Sequence, residues 1–195
     1  MKRAVKMAET KKKLISAARK AFADHGYFDT SMDKLTAEVG LTRGALYHNF
    51  GDKKGLFAAV VDQIDSEMAE KAKTQAQDAG NIWDRLMEEA RAYIRSALDP
   101  EIQRIVLLDG PSVLGDPSRW PSQNRCLQST SQAVEQLIAD GKIKHVDVEA
   151  ISMLLNGAAM NAALWVAASQ EPASALPKAL DAMEGLFAGI RIEES

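Results

Sequence analysis

Several side chains able to recognise a polyanion fall within a short stretch: Thr42, Arg43, Tyr47, His48, Asn49 and Lys53, with the small residues Gly44 and Ala45 among them. Arg43 carries a planar fork of donors that fits a guanine edge or clamps a phosphate. Thr42, Tyr47 and His48 offer short polar contacts to phosphate oxygens, which position a surface without reading base sequence. Gly44 and Ala45 leave little bulk, so a helix bearing them can lie deep in a groove. Lys53 stands where a further helix begins, and a helix start already favours an anion through its free N–H groups and its dipole.

Charge points the same way. Residues 1–54 hold twelve Lys/Arg and six Asp/Glu, a net +6, whereas the rest of the chain holds twelve Lys/Arg and twenty-one Asp/Glu, a net −9. A cationic head on an acidic body suits a polyanionic partner for the head, although a solvated basic face has the same composition.

The elements that must position these groups are helices. Alanine and leucine dominate and β-branched runs are scarce, so an all-α fold is expected. Leu14, Ile15, Ala18 and Phe22 give an amphipathic first helix, Thr10–Asp24, stopped by Gly26. Either Thr30 or Ser31 can cap a second helix, with Asp33 in its first turn, Leu35 and Val39 on its buried side and Gly40 at its end. Thr42 caps a third helix from Arg43 to about Asn49, with Leu41 and Leu46 at the staple positions. After Gly51, Asp52 caps a fourth, whose stripe Leu56, Phe57, Val60, Val61, Ile64 and Met68 runs on to about Gln77. Two short helices joined by a glycine-containing turn are the outline of a helix-turn-helix.

Residues 10–57 closely resemble the DNA-binding domain of TetR-family (tetracycline-repressor-like) regulators. The likeness runs through Ala21-Phe22, Gly26-Tyr27, Thr30-Ser31, the unbroken VGLTRGALYHNF from Val39 to Phe50, then Lys53 and Leu56-Phe57. It covers about a quarter of the chain, and the rest agrees with the family only in layout. Thr36 and Gly55 depart from it, where alanine and a helix former such as Glu are usual. The resemblance implies a homodimer placing two recognition helices in successive major grooves of a double-stranded DNA operator, roughly 34–36 Å apart. It also implies repression relieved by a small-molecule effector in the C-terminal body. The DNA-contact set expected on this basis is Thr30, Ser31, Thr42, Arg43, Gly44, Ala45, Tyr47, His48, Asn49 and Lys53. The functional boundary is expected near residue 55: a helix-turn-helix domain, 1–55, then a helical ligand-binding and dimerisation domain, 56–195.

In the body the pattern predicts helices over Ile82–Leu98 and Pro100–Leu108, then a loop over 109–118, rich in turn formers. A helix beginning at Asp116-Pro117 or at Pro121 runs to Ala139, and Val148–Ser169 and Ala175–Ile190 close the chain. The last two helices suit a dimer interface. Gly157, Ala158, Ala159, Ala162, Ala163, Ala167 and Ala168 allow close approach, and Leu180, Met183, Leu186, Phe187 and Ile190 supply an apolar stripe. Effector-lining candidates are Met153, Asn156, Met160, Asn161 and Trp165 on one helix, with Tyr93, Arg104, Leu107, Leu108, Trp120 and Cys126 from others.

The sequence supplies no catalytic constellation, so an enzyme is not expected. His25, His48 and His145 are far apart, no Cys/His cluster has metal-ligand spacing, and no glycine-rich loop follows a strand. No metal or cofactor is expected. A single cysteine fits a reducing cytoplasm, and with no stretch of about 18 apolar residues no membrane association is expected.

Overall fold

The computed structural model describes residues 2–192, with side chains from residue 5 onward. The chain forms two compact units: residues 1–64 with 100–116, and residues 65–99 with 117–195. The long helix α4 contributes to both, and the limits of the units differ from a single cut at residue 55 because 100–116 pack among the N-terminal helices.

The first unit contains α1 (Lys2–Asp29), α2 (Met32–Glu38), α3 (Arg43–Phe50) and the first half of α4 (Lys53–Gln75). α1 begins eight residues before the expected Thr10, since residues 2–9 are mostly strong helix formers and continue the helix without a break. Its last turn is interrupted at Gly26, whose φ of +76° is a left-handed conformation that favours glycine. Leu14, Ala18 and Phe22 of α1 are fully buried with Leu46, Leu56, Phe57 and Val60. Phe57 meets Phe22 edge-on at 5.0 Å and Tyr27 at 4.9 Å between ring centroids.

Residues 100–116 complete this unit. A short helix α6 (Pro100–Ile102) passes into a π-helical segment (Gln103–Asp109) and then α7 (Gly110–Leu114). The loop expected at 109–118 is therefore helical as far as Leu114, with Pro111 near the start of α7 directly after the π-helical segment. The π segment lies against α1. Arg19 makes a bidentate pair with Glu101 at 2.7 Å, and the Asp109 carboxylate accepts the Tyr27 N–H at 2.8 Å.

The second unit holds the rest of α4, α5 (Ile82–Arg95) with a 3₁₀ turn over Ser96–Leu98, a second 3₁₀ turn over Pro117–Arg119, α8 (Pro121–Ala139), α9 (Val148–Ala168) and α10 (Pro172–Ala188). α10 starts three residues before the expected Ala175, with Pro172 in its first turn. α9 packs against α5, α8 and α10, and Leu155, Ala159, Ala163 and Val166 bury its inner side. Asn81 and Asp147 cap α5 and α9, each side chain accepting an N–H at the third position beyond it. No strand occurs among the described residues; one isolated bridge joins Ile143 to Arg191. α9 is long and apolar enough on average to cross a membrane, a correction to the expectation that no such stretch exists, although Asn156 and Asn161 interrupt it.

Candidate nucleic-acid interface and interior pocket

The helix-turn-helix is fixed by bonds within a few residues of one another. The Ser31 hydroxyl accepts the Lys34 N–H at 3.4 Å, and the Thr42 hydroxyl accepts the Ala45 N–H at 3.2 Å. Between the helices Gly40 takes a φ of +64°, which lets Leu41 N–H return to the Thr36 carbonyl at 2.9 Å. Leu35 and Leu46 are buried from either side of the turn.

That frame leaves Thr42, Arg43, Gly44, Tyr47 and His48 exposed and contiguous on α3, with Ala45 and Asn49 half-buried. Thr42 spends an acceptor on its cap and keeps its O–H for a phosphate oxygen. The Arg43 guanidinium lies 5.5 Å from the Tyr47 ring centroid, donates to the Tyr47 hydroxyl at 3.2 Å and pairs with Asp33 at 3.2 Å. These contacts, the Tyr47 bond first, hold its pKa above the ordinary value, and the side chain remains exposed. Asn49 instead turns back, its amide donating to the Ala45 carbonyl at 2.7 Å. Lys53 is half-buried, 3.2 Å from the Phe28 carbonyl and 4.7 Å over the Tyr27 ring, and burial lowers its pKa. Ser31 is exposed at the N-cap of α2, whereas Thr30 is buried and its hydroxyl donates to the carbonyls of Gly26 (2.6 Å) and Ala21 (3.1 Å).

Gly55 shows a constraint that residue spacing does not reveal. A Cβ there would stand 2.0 Å from the Phe50 carbonyl oxygen, while its N–H donates to the Asp52 carboxylate at 2.6 Å. The entry to α4 is too close to the end of α3 for any side chain.

The second unit holds a partly open cavity of about 170 Å³, whose lining includes the exposed Glu70, Lys73 and Arg125. Of the effector-lining candidates it brings together Tyr93, Cys126 and Asn156; the Asn156 carbonyl accepts from the Thr130 hydroxyl at 2.8 Å. The others lie elsewhere. Arg104 and Leu108 belong to the first unit, where Arg104 donates to the His25 carbonyl at 3.3 Å and fills the space left by Gly26. Met153, Asn161 and Trp165 are on the exposed side of α9, and Trp120 and Met160 are buried away from this cavity.

Residues unremarked in the sequence provide the cavity's polar wall: Asp65, Glu89, Ser122 and Gln123. The Gln123 amide donates to the Asp65 carboxylate at 3.1 Å. Burial, then the Asp65 charge, push the Tyr93 phenol well above its ordinary pKa, so it remains a neutral donor. The same two causes raise the Cys126 thiol, which argues against a thiolate nucleophile. A signal for Asp65 exists in the sequence: it falls between Val61 and Met68 on the buried stripe of α4, where a carboxylate is out of place. Among the described residues no group of three or more His, Cys, Asp or Glu side chains can hold a metal.

Family models match both parts of the chain. The one for bacterial regulatory proteins of the tetR family covers residues 14–60, and the one for the tetracyclin repressor-like C-terminal domain covers residues 83–190. The chain belongs to the TetR family. A crystal structure of a TetR-family transcriptional regulator from Pectobacterium atrosepticum is 43% identical, with a TM-score of 0.88 over 98% of each chain. The transcriptional repressor AcnR of Corynebacterium jeikeium is 28% identical over 187 residues, 91% of this chain and 92% of that protein. AcnR of Corynebacterium glutamicum is 37% identical over 65 residues, 33% of this chain, and the match spans about a third (35%) of that repressor's length. This TetR-family protein is a DNA-binding transcriptional regulator with an N-terminal helix-turn-helix and a helical C-terminal domain.

Proposed function

We propose that this TetR-family regulator is a homodimeric repressor in the cytoplasm, bound to a double-stranded operator through α3 and released when a small molecule occupies the cavity of about 170 Å³. The observation that carries the reading is the exposed face of α3, where Arg43 and Tyr47 brace each other outward on a helix whose cap and turn are already formed. Thr42, Gly44, Ala45 and His48 complete the contact face, Ser31 and Lys53 flank it, and Thr30 and Asn49 support it from within. The functional boundary lies near residue 55, with the DNA-binding head at 1–55 and the effector and dimerisation body at 56–195.

Dimerisation through α9 and α10 is supported by large apolar groups left in solvent. Met153, Leu154 and Trp165 on α9 and Leu186 on α10 are 52–68% exposed. An uncovered surface of this kind marks an interface. Tyr93, Cys126 and Asn156 are the effector-lining residues this reading retains.

The test is selection of genomic fragments by the purified protein, then affinity for the enriched site with Arg43→Ala and Tyr47→Ala. Losing the Arg43 contact is expected to cost about 1–3 kcal/mol, roughly ten- to a hundredfold, with thermal stability unchanged. Affinity of the wild type should fall steeply as salt rises. Unchanged affinity in both variants would show that α3 is not the contact helix.

A further inference from the structure

We infer that Lys11 on α1 is a further contact to the DNA backbone, a phosphate clamp at the C-terminal end of α3; this rests on reading α3 as the contact helix. The Lys11 ammonium lies 5.7 Å from the centroid of the Phe50 ring. Phe50 is the last residue of α3, three positions after Tyr47 and seven after Arg43. Those spacings put the three residues on one side of the helix. Lys11 therefore continues the line that Arg43 and Tyr47 begin, and it adds a positive charge at the far end of the same face.

The group is available to a phosphate. Lys11 is exposed, and among the described residues no carboxylate pairs with it. The nearest acid in the chain, Glu9, is two positions away and so lies on another side of α1. An aromatic face attracts an ammonium group without taking any of its N–H donors, so all three remain for phosphate oxygens. The ring also restricts a long side chain before DNA arrives, which lowers the entropy lost on binding. Because α1 begins at Lys2, Lys11 stands well inside a formed helix and not in its first turn.

The head uses the same pairing elsewhere. Lys53, already in the expected contact set, has its ammonium 4.7 Å over the Tyr27 ring, and the Arg43 guanidinium lies 5.5 Å from the Tyr47 ring. Lys11 is the member of this group that residue order does not single out, because Phe50 is far from it along the chain. Its ammonium is a point charge without the planar fork that reads a guanine edge. It therefore fits a phosphate and carries no base preference. The net +6 of residues 1–54 gives the surrounding surface the same sign.

The experiment measures binding of the full-length protein to two duplexes of equal length over a series of salt concentrations. One is the genomic site enriched by selection, the other a scrambled version of it. Lys11→Ala should weaken both by a similar factor, about three- to tenfold at low salt, and flatten the slope of log affinity against log salt by about one per protomer. Alanine is a strong helix former at an exposed position, so helicity and melting should not change. Lys11→Arg keeps the charge and the ring contact and should stay within about twofold of the wild type on both duplexes. Lys71→Ala removes an equal charge from an exposed position of α4 in the second unit, and should leave affinity and slope as they were. Arg43→Ala, by contrast, should weaken the enriched site more than the scrambled one.

Unchanged affinity and slope in Lys11→Ala, with binding weakened in Arg43→Ala, overturns the Lys11 contact and leaves α3 as the contact helix. An equal loss in Lys71→Ala also overturns it, since net charge and not position would then account for the effect. A loss confined to the enriched duplex overturns the assignment to the backbone. If neither Lys11→Ala nor Arg43→Ala changes affinity, α3 is not the contact helix and both readings fall.

Discussion

The α3 surface and the cavity wall of the second unit solve opposite problems with similar groups. On α3, Arg43 and Tyr47 are held outward by residues within ten positions of them, and each charge keeps its water. In the cavity, Asp65, Glu89, Tyr93, Gln123 and Asn156 come from four helices and lose water in varying degree. The first arrangement is local, so a side chain on it can change with little effect on the fold. The second is built by packing distant segments, so each polar group there is part of the core as well as of the site. The comparison predicts that head substitutions separate affinity from stability unless they touch the frame beneath α3, and that cavity substitutions shift stability even without a guest.

Gly55→Ala attacks that frame and should give the largest effect. In an ordinary helix the change would stabilise by about 1 kcal/mol. Here the new Cβ would lie 2.0 Å from the Phe50 carbonyl oxygen, which cannot swing aside as a flexible side chain would. Forcing the α3–α4 turn open is expected to destabilise the protein by about 1–3 kcal/mol, read as a lower midpoint in chemical denaturation. A stabilised variant would show that the turn has slack, and that the head is less tightly specified than its caps suggest.

Thr30→Val sharpens the line between frame and contact face. The hydroxyl is buried and donates to the Gly26 and Ala21 carbonyls. Removing it leaves those acceptors short of a donor, an expected loss of about 1–2 kcal/mol in stability. Operator affinity per folded molecule should stay within about twofold. A tenfold fall in affinity at unchanged stability would move Thr30 to the contact face and weaken the division.

What could be read from residue order follows the same division. The caps at Ser31 and Thr42, the glycine stops and the buried Leu35 and Leu46 depend on neighbours a few positions away, so the head was legible almost residue by residue. Less legible were the start of α1, Thr30, whose hydroxyl turns to the Ala21 and Gly26 carbonyls, Asn49, whose amide turns back to Ala45, and Gly55, hemmed in by the Phe50 carbonyl. In the body, α9 is apolar on nearly every side, and periodicity cannot tell which side faces inward; Trp165 and Met153 proved exposed and Ala159 and Leu155 buried. The turn-rich stretch after Asp109 misled because proline and glycine also start helices, as Gly110 and Pro111 do. Arg104 was unreadable as a partner of Gly26, since nothing local joins positions so far apart. The carboxylates of the cavity needed a different question: not which apolar residues line up, but which charged one interrupts the line.

Glu89→Gln should give the smallest effect and a sign opposite to the others. Burial raises the Glu89 pKa above its unfolded value, and the nearby Lys73 and Arg85 offset that only in part. The folded protein therefore binds a proton at Glu89 more readily than the unfolded chain does. Between the two pKa values stability falls as pH rises, and above both the ionised carboxylate carries its full cost. The glutamine variant has no charge to desolvate, so the guest-free protein should melt slightly higher than the wild type at neutral pH. That advantage should shrink as the pH drops through the carboxylate range, where wild-type Glu89 becomes protonated and resembles its amide. A variant that melts lower at neutral pH would mean that Lys73 and Arg85 stabilise the carboxylate more than burial penalises it. The cavity wall would then resemble the α3 face, with charges settled among themselves before any guest arrives.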